Sequence, residues 1–412
     1  MKKIITSNQI GSILILGLLL RLIAYFFYAD TELKNEWAIL FHNFKIFGIY
    51  GYNIVLGDFH AFPNFAQAHQ EVLPSVFMPP LYFFFICLTE IISFDLVSTV
   101  NLLIFSQIFL NLLSIVLLYK LVINFEKKFI TLFVCLIFAI FPLNVYAAVQ
   151  VSSITLQIFL ILSFLFFLVK LIKKNNSRYL ILFSISAGLL ILIRGEFFLF
   201  YFLTLIYFLI IKYLKIKTLL LSIIISTLII SPYLTRNYLN FNTVVLTKSF
   251  GYNLLKGNNP TLKVEGNPTY IEANFKREDL KIRSDKRYEI NLDNFYKEKA
   301  FNIIKDDPVT YFKHYCLKLF SFIFMDFNSS YPNYYNLLHL VPKIIFSLSS
   351  LVGAIIALQR KGFYQFMSIF YFSNIFLFSI FFILPRYSLI LLPVQLFLSI
   401  FIFKKLFRKY LN

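Results

Sequence analysis

The sequence predicts an all-α polytopic membrane protein, and three observations carry the prediction. Of its 412 residues 59% are hydrophobic and only 14% are charged. Apolar runs of spanning length recur along nearly the whole chain, more than a soluble core of this size needs. The basic residues behind the net charge of +19 stand in twos and threes beside those runs. That is a topology signal rather than a groove for phosphodiesters, so nucleic acid is not expected as a partner.

The first run, Ile10–Ala29, follows Lys2 and Lys3. It has the charge order of a signal peptide, but it is too long for one and lacks a small-residue cleavage site, which predicts an uncleaved first helix. Further runs are Val97–Ile123, Phe129–Ala148, Thr155–Ile172, Tyr179–Ile193, Phe197–Ile211, Thr218–Tyr233, Leu338–Leu358, Phe363–Leu384 and Tyr387–Phe403. Two apolar pieces, Leu81–Phe94 and Tyr311–Phe327, are ambiguous. Lying on the outer surface, they leave ten spans with both termini inside. The inner flanks then hold sixteen basic residues against one acid, Glu126. Counting Leu81–Phe94 as a span would put Lys127 and Lys128 outside; counting Tyr311–Phe327 would do the same to Arg360 and Lys361.

This threading divides the chain into an N-terminal transmembrane module (1–233), an outer loop region (234–337) and C-terminal transmembrane helices (338–412). The module carries a long first outer loop at 30–95. Loops this long in a bundle usually carry function. In the second, Asp293–Ile304 reads as a helix. "KDDPVTYF" reads as the start of the next, capped by Asp306 or Asp307 with Pro308 in its first turn. Cys87, Cys135 and Cys316 sit in apolar contexts without metal-ligand spacing and read as packing residues.

Arginines that break the positive-inside pattern are the informative charges. Arg386 stands alone in the otherwise uncharged stretch Gly362–Phe403 and falls in the outer turn "LPRY". Arg194 falls in the outer turn "IRGE", Arg236 follows the seventh span in "SPYLTRN", and Arg21 lies in the outer half of the first span. Singly, each has the ordinary reading of a snorkelling side chain or a partner of a neighbour such as Glu196. Together they predict an outward-facing pocket for an anionic lipid head group, because the guanidinium fork suits phosphate.

Group transfer from a phosphate also needs a carboxylate. The first outer loop begins "ADTELKNEW", with Asp30, Glu32 and Glu36 close to the outer end of the first span. From Glu36 onward, Trp37, Leu40, Phe41, Phe44 and Phe47 repeat at helical spacing, which predicts an amphipathic surface helix. Glu36 at its start is either a helix-start carboxylate with no chemistry or a general base. His42, His60 and His69 share this loop without tight ligand spacing. The chain has no Gly-rich phosphate loop, nucleophile elbow or metalloprotease motif.

In order, "NEWAILFHNFKIFGIYGY", "VFMPPLYFFF", "FPLNVYAAVQVSSITLQIFL", "SPYLTRNYLNFN", "GYNLLKGNNP", "YKEKAFNIIKDDPVTYFKHYCLKLFSF" and "PRYSLILLP" resemble the motifs of the bacterial GT-C membrane glycosyltransferases of the family-39 (protein-mannosyltransferase-like) and aminoarabinose-transferase types. The resemblance implies a GT-C fold with about ten transmembrane helices, external amphipathic helices and a membrane-embedded, outward-facing cavity. It implies inverting transfer of a sugar from a polyprenyl-phosphate (undecaprenyl-phosphate-like) donor to a lipid, glycan or protein acceptor, at the outer face of a bacterial plasma membrane and among its lipids. Carried over, the base is Glu36, with Asp30 and Glu32 as alternatives. Arg386, Arg194 and Arg236 hold the donor phosphate, and Tyr82 and Tyr387 line the cavity. Relatives often have a second acid in the next outer loop, where this chain has Gln150, Ser152 and Ser153. No metal ligand set is therefore assigned, no cofactor is implied, and a divalent metal stays open.

Two other functions share part of this pattern. A transporter of lipid-linked sugar should show ionisable groups along a midplane path and internal repeats; the sequence shows neither. An oligosaccharide polymerase or ligase would share the lipid donor and a large basic outer loop. The acidic first loop with Pro-Pro-Leu-Tyr favours the transferase.

Overall fold

The computed structural model describes residues 2–31, 76–93, 96–276, 280–283 and 285–407, and every regular element among them is a helix. Glu32, Glu36, the expected surface helix and His42, His60 and His69 lie outside the described residues. The first half of the chain forms α1 (Lys2–Tyr28), α2 (Leu81–Ile92), α3 (Leu96–Val122), α4 (Lys128–Ile140), α5 (Pro142–Ala147), α6 (Ile154–Lys174), α7 (Ser177–Ile193), α8 (Phe197–Ile210) and α9 (Ile216–Phe241). Four further helices follow: α10 (Phe250–Gly257), α11 (Pro268–Asn274), α12 (Tyr288–Asp306) and α13 (Pro308–Ile323). The C-terminal part forms α14 (Leu337–Leu358), α15 (Phe363–Phe378), α16 (Pro385–Leu389) and α17 (Leu392–Leu406).

Within α1, α3, α6, α9 and α14, apolar stretches of 20 to 26 residues are long enough to cross a bilayer. The equally apolar α4, α7, α8 and α15 are shorter, at 13 to 17 residues. Each of the ten runs read as spans overlaps one of these helices or α17. The bundle's best-packed member is α6, whose length is mostly buried against α3 and α7. By contrast α1 and α9 each leave most of their apolar surface outward, as a lipid-facing helix does. Of the ambiguous pieces, Leu81–Phe94 forms the 12-residue α2 and packs on α3. Tyr311–Phe327 falls mostly in α13, whose start has the expected form: Asp307 accepts from the Thr310 amide at 3.1 Å, with Pro308 in the first turn.

The third span is broken. Phe141 is extended because the residue before a proline is driven out of the helical region, so α4 stops and α5 restarts at Pro142. The break frees the Phe138 and Ala139 carbonyls. Asn144 Nδ2 donates to the first at 2.9 Å and Arg21 Nη1 to the second at 3.1 Å. Arg21 also donates to Gly17 O at 2.8 Å and, through Nε, to Asn111 Oδ1 at 3.0 Å, and it is fully buried. This corrects the expectation that Arg21 gathers with the outward arginines. Its guanidinium instead replaces hydrogen bonds that a proline removed inside the bundle. Cys87 and Cys135 are buried, as packing residues are, whereas Cys316 is exposed.

Helices α10 to α12 bury a second, smaller core. Tyr252, Leu255, Leu292 and Tyr296 pack there with Phe77 from the approach to α2 and with Phe381 and Phe382 from the segment after α15. The Asp293 carboxylate ties two of these helices together, since its Oδ1 accepts from the Gly251 and Tyr252 amides at 2.7 and 3.1 Å. Burial raises the pKa of Asp293, against the opposing pull of those amides and of Lys248 and Lys297.

Candidate active-site cavity

Where the smaller core meets the bundle, the chain leaves a cavity of about 620 Å³. Four segments that are remote in sequence wall it: Phe77–Pro79 before α2, Val151–Ile154 before α6, Ile193–Leu199 between α7 and α8, and the approach to α10. The segment joining α15 to α16 closes it. Three cationic side chains, Arg194, Lys256 and Arg386, share this lining with aromatic and aliphatic groups. Glu196 is the one carboxylate in the lining among the described residues.

Arg194 follows the last turn of α7, and its extended backbone ends that helix. Its guanidinium lies 4.3 Å from the centroid of Phe378 and 4.8 Å from that of Tyr387. Glu196 approaches it at 3.7 Å and Gln157 Oε1 at 3.5 Å. Two rings and a carboxylate thus hold one face, and the planar fork is pre-oriented. Arg386 behaves differently. Pro385 fixes the start of the one-turn α16, and Arg386 beside it is exposed, with no described residue bonded to its guanidinium. An unpaired guanidinium at a cavity wall is available to an anion.

Lys256, in the last turn of α10, is the cation the sequence reading did not single out. Its ammonium lies 4.5 Å from the centroid of Phe382. The signal was present as the lysine of "GYNLLKGNNP", but no local pattern shows that this helix end folds back onto residues 381–382. Arg236 does not line the cavity. It is half-buried on α9, where Nη1 donates to Asn237 Oδ1 at 2.7 Å and the guanidinium lies 5.4 Å from the Phe241 ring.

Tyr387 lines the cavity and Tyr82 does not. Tyr82 is buried, and its hydroxyl donates to Gln107 Oε1 at 2.9 Å. Gln107 in turn donates to the Gln150 carbonyl at 2.8 Å. Asp30, just past α1, accepts from the Val151 amide at 2.7 Å, and Gln150 donates back to the Tyr28 carbonyl. One polar chain therefore links the Pro-Pro-Leu-Tyr tyrosine, the loop before α6 and the first-loop acid. Asp30 touches the backbone of that cavity wall without being part of the lining. Among the described residues no three His, Cys, Asp or Glu side chains cluster as a metal site would need.

Comparison with known proteins agrees with this architecture. Residues 78–235 match the family described as dolichyl-phosphate-mannose-protein mannosyltransferase. No curated protein matches the chain in sequence. Among solved structures, the archaeal oligosaccharyltransferase AglB from Archaeoglobus fulgidus, in complex with an inhibitory peptide and a dolichol-phosphate, superposes with a TM-score of 0.56. It is 16% identical over 99% of this chain and 51% of its own. The apo form of the Archaeoglobus fulgidus oligosaccharyltransferase gives a TM-score of 0.52 at 14% identity, over 97% of this chain and 51% of its own. ArnT from Cupriavidus metallidurans bound to undecaprenyl phosphate gives 0.40 at 11% identity, over 96% and 78%. The chain thus spans about half the length of the oligosaccharyltransferase structures it matches. Its helix order and the family match to residues 78–235 make it a polytopic membrane protein with the fold of the GT-C glycosyltransferases.

Proposed function

We propose that the chain is an inverting glycosyltransferase that moves a sugar from a polyprenyl-phosphate donor to a lipid, glycan or protein acceptor at the outer face of a bacterial plasma membrane. The observation that carries the reading is the cavity itself. It joins three cations to an apolar and aromatic wall, the combination that an anion on a hydrocarbon tail requires. The family match over residues 78–235 supports a sugar-phosphate donor, and the dolichol-phosphate held by AglB is such a lipid phosphate.

In this reaction an acceptor hydroxyl or amine attacks the sugar C1 from the side opposite the phosphate. The C1–O bond breaks with its electron pair leaving on the phosphate, and the acceptor proton passes to a carboxylate. Arg386, Arg194 and Lys256 stabilise the charge that gathers on the leaving phosphate, which lowers the barrier because it grows in the transition state. Arg236, set apart from the lining, is the weakest phosphate ligand of the original three. The base is Glu36, with Asp30 and Glu32 as alternatives. Asp30 is the described member of that set, and its carboxylate is already committed to the Val151 amide. The proposed division of labour gives donor and base to 1–233 with its first outer loop, the cavity roof to 234–337 and the Arg386 turn to 338–412.

The test is sugar transfer by purified protein from defined polyprenyl-phosphate sugars. Arg386→Ala should weaken donor affinity about tenfold or more, and Glu36→Gln should lower turnover by about 10²-fold or more. Unchanged donor affinity in Arg386→Ala would remove the phosphate role. Near wild-type turnover in Glu36→Gln, Asp30→Asn and Glu32→Gln alike would remove the base.

A further inference from the structure

Lys318 on α13 is fully buried and does not line the cavity, yet its ammonium reaches two of the three wall segments that carry a cation. On one side it donates to Gly257 O at 3.2 Å and Asn258 Oδ1 at 2.8 Å, at the end of α10 immediately after Lys256. On the other it donates to Ile380 O at 3.3 Å and Phe381 O at 2.6 Å, where the chain leaves α15 on its way to Arg386. Both acceptor groups sit at or just beyond helix ends, where carbonyls lack intrahelical partners and the dipole favours a cation.

The two walls come into backbone contact here. A Cβ on Gly257 would sit 2.2 Å from Phe381 O, so only glycine lets the backbones meet. Asn258 Nδ2 donates across the same seam to Ile380 O at 2.8 Å, and the Ile383 amide donates to Val264 O at 2.8 Å. His314, one turn before Lys318, adds a bond from Nε2 to Gly257 O at 3.2 Å. Burying an ammonium is expensive, so a lysine there must satisfy its donors, and these carbonyls do so. An apolar residue would fill the same space without fixing the register of two backbones.

We infer that Lys318 is a positioning residue for the donor phosphate: its ammonium clamps the end of α10 to the segment after α15, and so fixes Lys256 and Arg386 relative to each other in the cavity lining before the donor arrives. The clamp rests on the proposed donor reading of the cavity. Preset spacing matters because a misplacement of about 1 Å at an anion site costs up to about 10²-fold in the interaction it serves.

The experiment measures undecaprenyl phosphate binding and thermal unfolding of the full chain in nanodiscs. Lys318→Met should weaken binding by about tenfold or more. Asn258→Ala, which removes one acceptor and one cross-seam bond, should weaken it less and keeps the test open should Lys318→Met not fold. Glu126→Gln is the control for a merely structural lesion. Glu126 is buried and paired with Lys404 at 2.6 Å, and neither residue lines the cavity. It should lower the unfolding temperature and leave binding within about twofold. Arg386→Ala is the reference. If Arg386→Ala weakens binding while folded Lys318→Met and Asn258→Ala do not, the clamp is overturned alone. It is equally overturned if Glu126→Gln loses as much affinity as they do. If Arg386→Ala leaves binding unchanged, the donor reading falls and the clamp with it.

Discussion

The buried side chains that face cavity walls carry their chemistry in the hydrogen bonds they make, and His314 gives the most accessible readout of that. Its Nε2 donates to Gly257 O, which requires a proton on that nitrogen. Burial, reinforced by the Lys318 charge, pushes its pKa down to about 4 against the ordinary 6.5. Between those values the unfolded chain binds a proton that the folded chain refuses, so stability falls as pH drops from about 6.5 to about 4. His314→Gln keeps a donor and removes the titration. Its unfolding temperature, compared with wild type from pH 7 to pH 4, should fall less steeply, and parallel curves would refute the account. None of this was legible locally: the carbonyl that His314 and Lys318 share lies 57 and 61 residues away in the sequence. The four arginines illustrate the same limit. Their residue type and membrane depth were readable, but Arg21 turned inward because Asn111 and Ala139, 90 and 118 residues away, supply acceptors there.

Elements were readable wherever the deciding interaction is local. The Asp307 cap with Pro308 needs only four consecutive residues, and it formed as expected. The break at Pro142 is equally local, though the apolar run around it is long enough to suggest one span. The turn around Arg386 is wider than a tight turn, because residues 379–384 leave the helix to meet α10 and α13. Interhelical contact is where sequence is quietest, and α14 against α17 shows why. A Cβ at Gly353 would lie 1.9 Å from Leu398 O, so these helices approach to backbone contact. Membrane helices lack a hydrophobic force between them and gain from such close packing. Gly353→Ala should therefore force the pair apart and cost about 1–3 kcal/mol. Unfolding in detergent measures the loss, and donor affinity should stay at the wild-type value because neither Gly353 nor Leu398 lines the cavity. A stability equal to wild type would mean the two helices separate without strain.

At the scale of the whole molecule, orientation follows from charge asymmetry, and the same asymmetry makes the proposed outer-face chemistry testable without a substrate. Placing the cavity outside requires the 234–337 region to lie outside and the loop between α14 and α15 to lie inside. Each carries an exposed basic residue suited to replacement: Arg283, with 88% of its side chain exposed, and Lys361. In a chain with Cys316 replaced by serine, the remaining Cys87 and Cys135 are buried and should stay silent. Arg283→Cys should then react with a membrane-impermeant maleimide on intact cells, whereas Lys361→Cys should react only after permeabilisation. The pair also decides the threading, because counting the α13 segment as a further span would carry Arg360 and Lys361 outside. Labelling of Lys361→Cys in intact cells would therefore overturn the ten-span topology. Protection of Arg283→Cys would place the cavity on the cytoplasmic side, where an outer-face transfer has no meaning. The basic flanks commit to the first pattern because moving the loop between α14 and α15 outward would strand Arg360 and Lys361 against the positive-inside bias that every other inner loop obeys.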